Sequence, residues 1–145
     1  MSTCSFFGHS HLYEQSEEIA QKLRQIIIDL IEKGVDTFYV GNHGEYDNLS
    51  SKIACDLKVL YPHIQVVVVL CYPNELQYLK CKFTDFLMPS EVEATPKRAC
   101  IVKRNHWVVD NSDYIVSYIK YKIGGAYSVV QYAQKHKKQI IEVVS

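Results

Sequence analysis

The residues best suited to hold a ligand are glycines and small polar side chains placed where apolar strands end. Asp113-Tyr-Ile-Val-Ser-Tyr-Ile119 reads as a buried strand, and Gly124 and Gly125 interrupt the chain before a helix restarts. A junction of this kind leaves backbone N–H groups unpaired at a helix N-terminus, where a phosphate can be held. Gly124 and Gly125 let backbone approach a ligand, Ala126 and Tyr127 continue the turn, and Ser128 offers a hydroxyl. Two other strand ends open onto similar chemistry, at Gly8-His9-Ser10 and at Gly41-Asn42-His43-Gly44, the second followed by Asp47. Amides at Gly8, Gly41 and Gly124–Gly125, together with the Ser128 hydroxyl, are expected to hold phosphate or ribose groups.

Asp47 reads as the N-cap of the helix it opens. Asn105 and Asp110 are further candidates, although five residues apart on a helix they do not share a face well. Tyr46, Tyr72 and Tyr127 lie beside the loops, where a ring could stack on a base, while Trp107 is expected to pack its own helix. No catalytic set stands out. His9 and His11 form a single His-x-His pair without a third ligand at suitable spacing, so no metal or other cofactor is expected.

The elements that must position these residues alternate strand and helix. Thr3–Phe7 is the first strand, followed by a helix over Tyr13–Lys33 with Ile19, Leu23, Ile26, Ile27, Leu30 and Ile31 on one face. Thr37–Val40 is a strand and Asp47–Tyr61 a helix. Ile64–Leu70 is apolar on both faces, which predicts a parallel strand covered by helices on both sides, at the centre of the sheet. Thr95-Pro96 opens a helix to Asp110, Tyr114–Ile119 is a strand, Ser128–His136 a helix and Gln139–Val144 a final strand. A short helix near Leu76–Phe83, covering the crevice or an interface, is also expected. This order predicts an α/β fold, an open, mostly parallel three-layer sheet of about five strands. Ligands in such sheets sit beyond the C-terminal strand edge, the edge all three glycine loops share.

The 145 residues suit one domain, 1–145, which at that length buries roughly 68–70% of its unfolded surface. Lys plus Arg and Asp plus Glu are 16 each, so no basic nucleic-acid footprint is visible and nucleic acid is an unexpected partner. Five cysteines, odd in number and without Cys-x-x-Cys spacing, predict free thiols, Cys4 and Cys100 in the core, and a cytoplasmic setting. Neither a signal peptide nor a membrane span is expected.

Taken together, Cys-Ser-Phe-Phe-Gly-His at 4–9, Phe38-Tyr-Val-Gly-Asn-His-Gly-Glu-Tyr-Asp47, Tyr61-Pro62, Lys103-Arg-Asn-His-Trp-Val-Val-Asp-Asn-Ser-Asp113 and Gly124-Gly-Ala-Tyr-Ser128 resemble the SLOG superfamily. The resemblance is to its small YpsA-like members from Firmicutes and their phages and is collinear over nearly the whole chain. It implies a Rossmann-like fold related to the LOG phosphoribohydrolases and DprA, and binding of an ADP-ribose, cyclic ADP-ribose-type or NAD-like ligand. It also implies a sensor in antiviral defence or a sequestering protein, a homo-oligomer of two or more copies, and at least one of Asn105 and Asp110 facing the crevice.

The departures from the family pattern are informative. Ser10 stands where YpsA-like proteins usually have arginine, removing a guanidinium that could hold phosphate bidentately. Asn42 replaces a glycine but tolerates positive φ. Against the LOG pattern Gly-Gly-x-Gly-Thr-x-x-Glu, Tyr127 stands at the third glycine, Ser128 at the threonine and Gln131 at the glutamate. An amide cannot exchange a proton as a carboxylate does, so binding is favoured over hydrolysis. The rival readings are a phosphoribohydrolase-like enzyme cleaving an N-glycosidic or phosphoester bond of a nucleotide with Asp47, Glu45 or Asp110, and a protein-interaction module regulating cell division.

Overall fold

The computed structural model describes residues 2–72 and 85–144. Strands β1 (Ser2–Gly8), β2 (Val35–Val40), β3 (Gln65–Val69), β4 (Asp85–Leu87), β5 (Tyr114–Tyr118) and β6 (Gln139–Glu142) form one sheet in the order β4-β3-β2-β1-β5-β6. Every neighbouring pair runs parallel. The helices are α1 (Ser16–Glu32), α2 (Glu45–Leu60), the short α3 (Ser90–Glu93), α4 (Cys100–Asp110) and α5 (Gly125–Lys135). The result is a Rossmann-like open α/β sheet flanked by helices.

Alternation along β1 feeds two apolar layers. Phe6 packs with Phe38, Leu23, Ile27 and Leu57 among the larger cluster that α1 and α2 close. Phe7 instead joins Val109, Ile115, Val129 and Ala133, the smaller cluster beneath α4 and α5. Each fully buried Leu, Ile or Val contributes about 1.5–3 kcal/mol, so α1, with Ile19, Leu23, Ile27, Leu30 and Ile31 inward, is held firmly to the sheet.

The structure departs from the sequence-based expectation in several places. The sheet has six strands, because the three-residue β4 adds outside β3. Consequently β3 lies second from an edge, not at the centre: a run buried on both faces reports coverage by helices, not lateral position. Pro96 opens a 3-10 turn, Lys97–Ala99, before α4 starts. The N-cap of α2 is Gly44 rather than Asp47, and α5 begins at Gly125 with Gly124 as its cap, not at Ser128. Cys4 and Cys100 are buried free thiols and Cys71 is buried, whereas Cys55 is disulfide-bonded, which overturns the expectation of free thiols throughout. The helix expected near Leu76–Phe83 falls outside the described residues. No helix among those described is long and apolar enough to cross a membrane.

Candidate functional site

The chain runs from β1 outward to β4 and then returns to the other side of β1 with β5, so the strand order reverses at the β1/β5 boundary. Open α/β sheets form their crevice beyond the strand ends at such a point. A cavity of about 440 Å³ opens there, within the roughly 300–1,000 Å³ common for small-molecule sites. Its floor is Phe6, Phe7 and Gly8 of β1, Tyr39 and Val40 of β2 and Val69 of β3. One wall is α4, which presents Ile101, Arg104, Asn105 and Val108, and Gly124, Gly125 and Ala126 supply the N-terminus of α5.

Two helix N-termini therefore reach this edge, and they are tied down differently. At α2 the Glu45 N–H donates to the Ser10 carbonyl at 2.8 Å, and Asp47 Oδ2 accepts the His43 N–H at 3.0 Å. The protein's own backbone thus satisfies the first of the donors that a helix start otherwise leaves orphaned, and Asp47 ties down the loop before the cap. At α5 the Ser128 hydroxyl turns back to the Gly124 carbonyl at 3.3 Å and caps nothing. Gly124, Gly125 and Ala126 at that helix start line the crevice.

The glycines differ in the same way. A Cβ at Gly8 would lie 2.4 Å from the Tyr46 ring, one at Gly41 would lie 2.6 Å from Asp47 Oδ2, and one at Gly44 would meet the Ser10 backbone at 2.6 Å. Those three glycines are explained by packing within the fold. Gly124 takes φ +97° to start its helix, while Gly125 has no neighbour within 4 Å of a would-be Cβ and no positive φ. Nothing inside the molecule requires glycine at 125, and the space in front of it belongs to the crevice.

The charged group at the site is Arg104. Its side chain is 6% exposed, Nε and Nη2 donate to the Asn105 Oδ1 at 3.2 and 3.0 Å, and Nη1 is buried with no partner among the described residues. A buried guanidinium nitrogen without an acceptor is costly, and it belongs to a residue that lines the crevice. Asn105 therefore orients Arg104. Burial raises the pKa of the Asp47 carboxyl from its ordinary value, opposed by the His43 N–H and by the Arg104 charge.

His9 is placed at the crevice but already has partners: its Nε2 accepts the N–H groups of Lys120 and Tyr121 at 3.1 and 3.2 Å. That arrangement puts the ring proton on Nδ1 and ties the loop after β5 to the loop after β1.

Of the residues singled out from sequence, Gly8, His9, Ser10, Gly41, Asp47, Asn105, Gly124, Gly125 and Ala126 line the cavity. Asn42, Gly44, Asp110, Tyr127 and Ser128 do not line it. Asn42 Oδ1 is buried without a partner among the described residues, and its backbone does not take positive φ. Asp110 accepts the Tyr132 hydroxyl at 2.8 Å between α4 and α5. Gln131 is exposed and donates to the Tyr127 hydroxyl at 3.2 Å, away from the cavity. Tyr46, Tyr72 and Tyr127, expected beside the loops, do not line the cavity either: Tyr46 is fully buried against Tyr118 with its hydroxyl on the Val116 carbonyl, and Tyr72 reaches the Lys97 carbonyl. Trp107 packs edge-on against Tyr39.

Arg104 escaped the sequence reading, as did Tyr13, Tyr39, Ile101, Val108 and Ile123. A signal existed for α4, because Ile101, Arg104, Asn105 and Val108 fall at i, i+3, i+4 and i+7. On that stripe Arg104 falls on the same face as the apolar Ile101 and Val108.

No protein-family model matches the chain. Over 144 residues it is 27% identical to a UPF0398 protein of Halalkalibacterium halodurans, spanning 92% of this chain and 75% of that relative. The chain is thus distantly similar to a UPF0398 protein along most of its length.

Proposed function

We propose that the chain is a SLOG-type domain that binds a nucleotide-derived small molecule of the ADP-ribose, cyclic ADP-ribose or NAD-like class in this crevice, as a sensor or sequestering protein. The observation that carries the reading is the buried Arg104 guanidinium, with Nη1 unpartnered among the described residues, in the same cavity as the N-terminus of α5. A guanidinium nitrogen and aligned backbone amides are both phosphate donors, and together they suit a diphosphate or a phosphate with an adjoining ribose. Arg104 offers a guanidinium where Ser10 lacks one. The distant similarity to a UPF0398 protein is compatible with SLOG membership.

Binding is favoured over hydrolysis because Gln131 lies away from the cavity and Asp47 is the sole carboxylate among its described lining residues. A thermal-shift panel of ADP-ribose, cyclic ADP-ribose isomers, NAD, AMP and cyclic dinucleotides tests the reading. A ligand at about 100 times its Kd adds roughly 2.7 kcal/mol, a rise in Tm of roughly 5–10 °C at this size. A shift with the ligand recovered intact supports a sensor or sequestering role. Conversion of the ligand would replace it with a hydrolase, and silence across the panel with a protein-interaction module.

A further inference from the structure

The crevice has a second chemical end. The loop after β1 brings His9, His11 and Tyr13 to the cavity, and the loop after β5 brings Ile123. Tyr13 is 48% exposed, Ile123 is 72% exposed, and Tyr121 beside them is 48% exposed. Large apolar groups clustered at a cavity mouth mark a surface kept for a ligand. The Tyr13 ring is fixed rather than floppy: it meets Tyr121 edge to face at 4.9 Å and His11 at 5.0 Å, and its backbone N–H donates to the Tyr118 hydroxyl at 2.8 Å. Glu45 holds the same loop by accepting the Leu12 N–H at 2.9 Å while lying 3.4 Å from His11 Nδ1.

We infer that Tyr13 and Ile123, braced by Tyr121 and His11, form the subsite for a planar heteroaromatic ring, the nucleobase of the ligand whose phosphate Arg104 receives. The inference rests on the proposed function. It assigns to Tyr13 the stacking that Tyr46, Tyr72 and Tyr127 are not placed to provide. Stacking reads a π-face rather than a hydrogen-bond pattern, so the subsite tolerates different bases. Both ends open into one cavity of about 440 Å³, so a single ligand can occupy them together.

Calorimetric titration of AMP and of ribose 5-phosphate into the wild type, Tyr13→Ala, Tyr13→Phe and Arg104→Gln separates this inference from the reading beneath it. Base–aromatic stacking predicts AMP binding about 5- to 150-fold tighter than ribose 5-phosphate. Tyr13→Ala is expected to erase that advantage with ribose 5-phosphate affinity unchanged, and Tyr13→Phe to retain it. Arg104→Gln is expected to weaken both ligands alike. Tyr13→Ala binding AMP as the wild type does, with Arg104→Gln still impaired, overturns the base subsite and leaves the crevice reading standing. An undiminished Arg104→Gln variant, or no binding of either ligand to the wild type, overturns both.

Discussion

Asp47 is the residue at which function and stability pull apart. Its carboxylate fills the space under Gly41 and accepts the His43 N–H, yet burial raises its pKa. The folded state therefore keeps a proton at pH values where the unfolded chain, at about 3.9, has lost it. Between those two values stability falls as pH rises, and above both the folded protein bears the whole penalty. D47N is accordingly expected to be more stable than the wild type at neutral pH, with the gain fading as pH falls through the folded pKa toward the unfolded value. Denaturant melts of both proteins from pH 3 to pH 8 check this, and a difference that does not change with pH contradicts it. At this scale the sequence was half legible. Glycines 8, 41, 44, 124 and 125 look alike in a string, but whether each faces Tyr46, Asp47, Ser10 or open space depends on tertiary neighbours. Asp110 and Asn105 share a helix, and only their phase relative to the sheet decides that one lines the cavity while the other ties α4 to α5.

Among the elements, α5 and α4 make the site, one by its end and the other by its face. Gly125 is the first residue of α5, free of positive φ and of any neighbour to a Cβ. Glycine there only enlarges the freedom of the unfolded chain, so Gly125→Ala is expected to stabilise the fold by about 0.4–1 kcal/mol. The same methyl would occupy the space through which a phosphate reaches the helix amides, and blocking roughly 1.4 kcal/mol of contact weakens binding about tenfold. Melting and titration of one variant read both effects. A destabilised variant would contradict the backbone argument, and one that binds as tightly as the wild type would show that the open turn does not serve the ligand. Helix α1 was legible because its apolar face repeats over 17 residues, whereas β4, with only three, carries too short a pattern to be read. The start of α5 was misplaced because Ser128 looks like a cap, but Gly124 turns the chain four residues earlier.

For the whole molecule, the reversal of strand order beside β1 gathers loops from distant parts of the chain into one cavity beyond the strand ends. That architecture was readable from the alternation of strand and helix patterns, because right-handed crossovers leave few arrangements. The identity of the charged donor was not, since Arg104 reaches the cavity only through the packing of α4. The most direct test is a titration of isotope-labelled protein with ADP-ribose followed by proton–nitrogen NMR. The account predicts that the largest shifts fall on the backbone amides of Gly124, Gly125 and Ala126 and on the Arg104 guanidinium Nε–H, with smaller ones at Tyr13. Shifts centred elsewhere, such as the exposed Val59–Leu60 end of α2, or none at millimolar ligand, would contradict it.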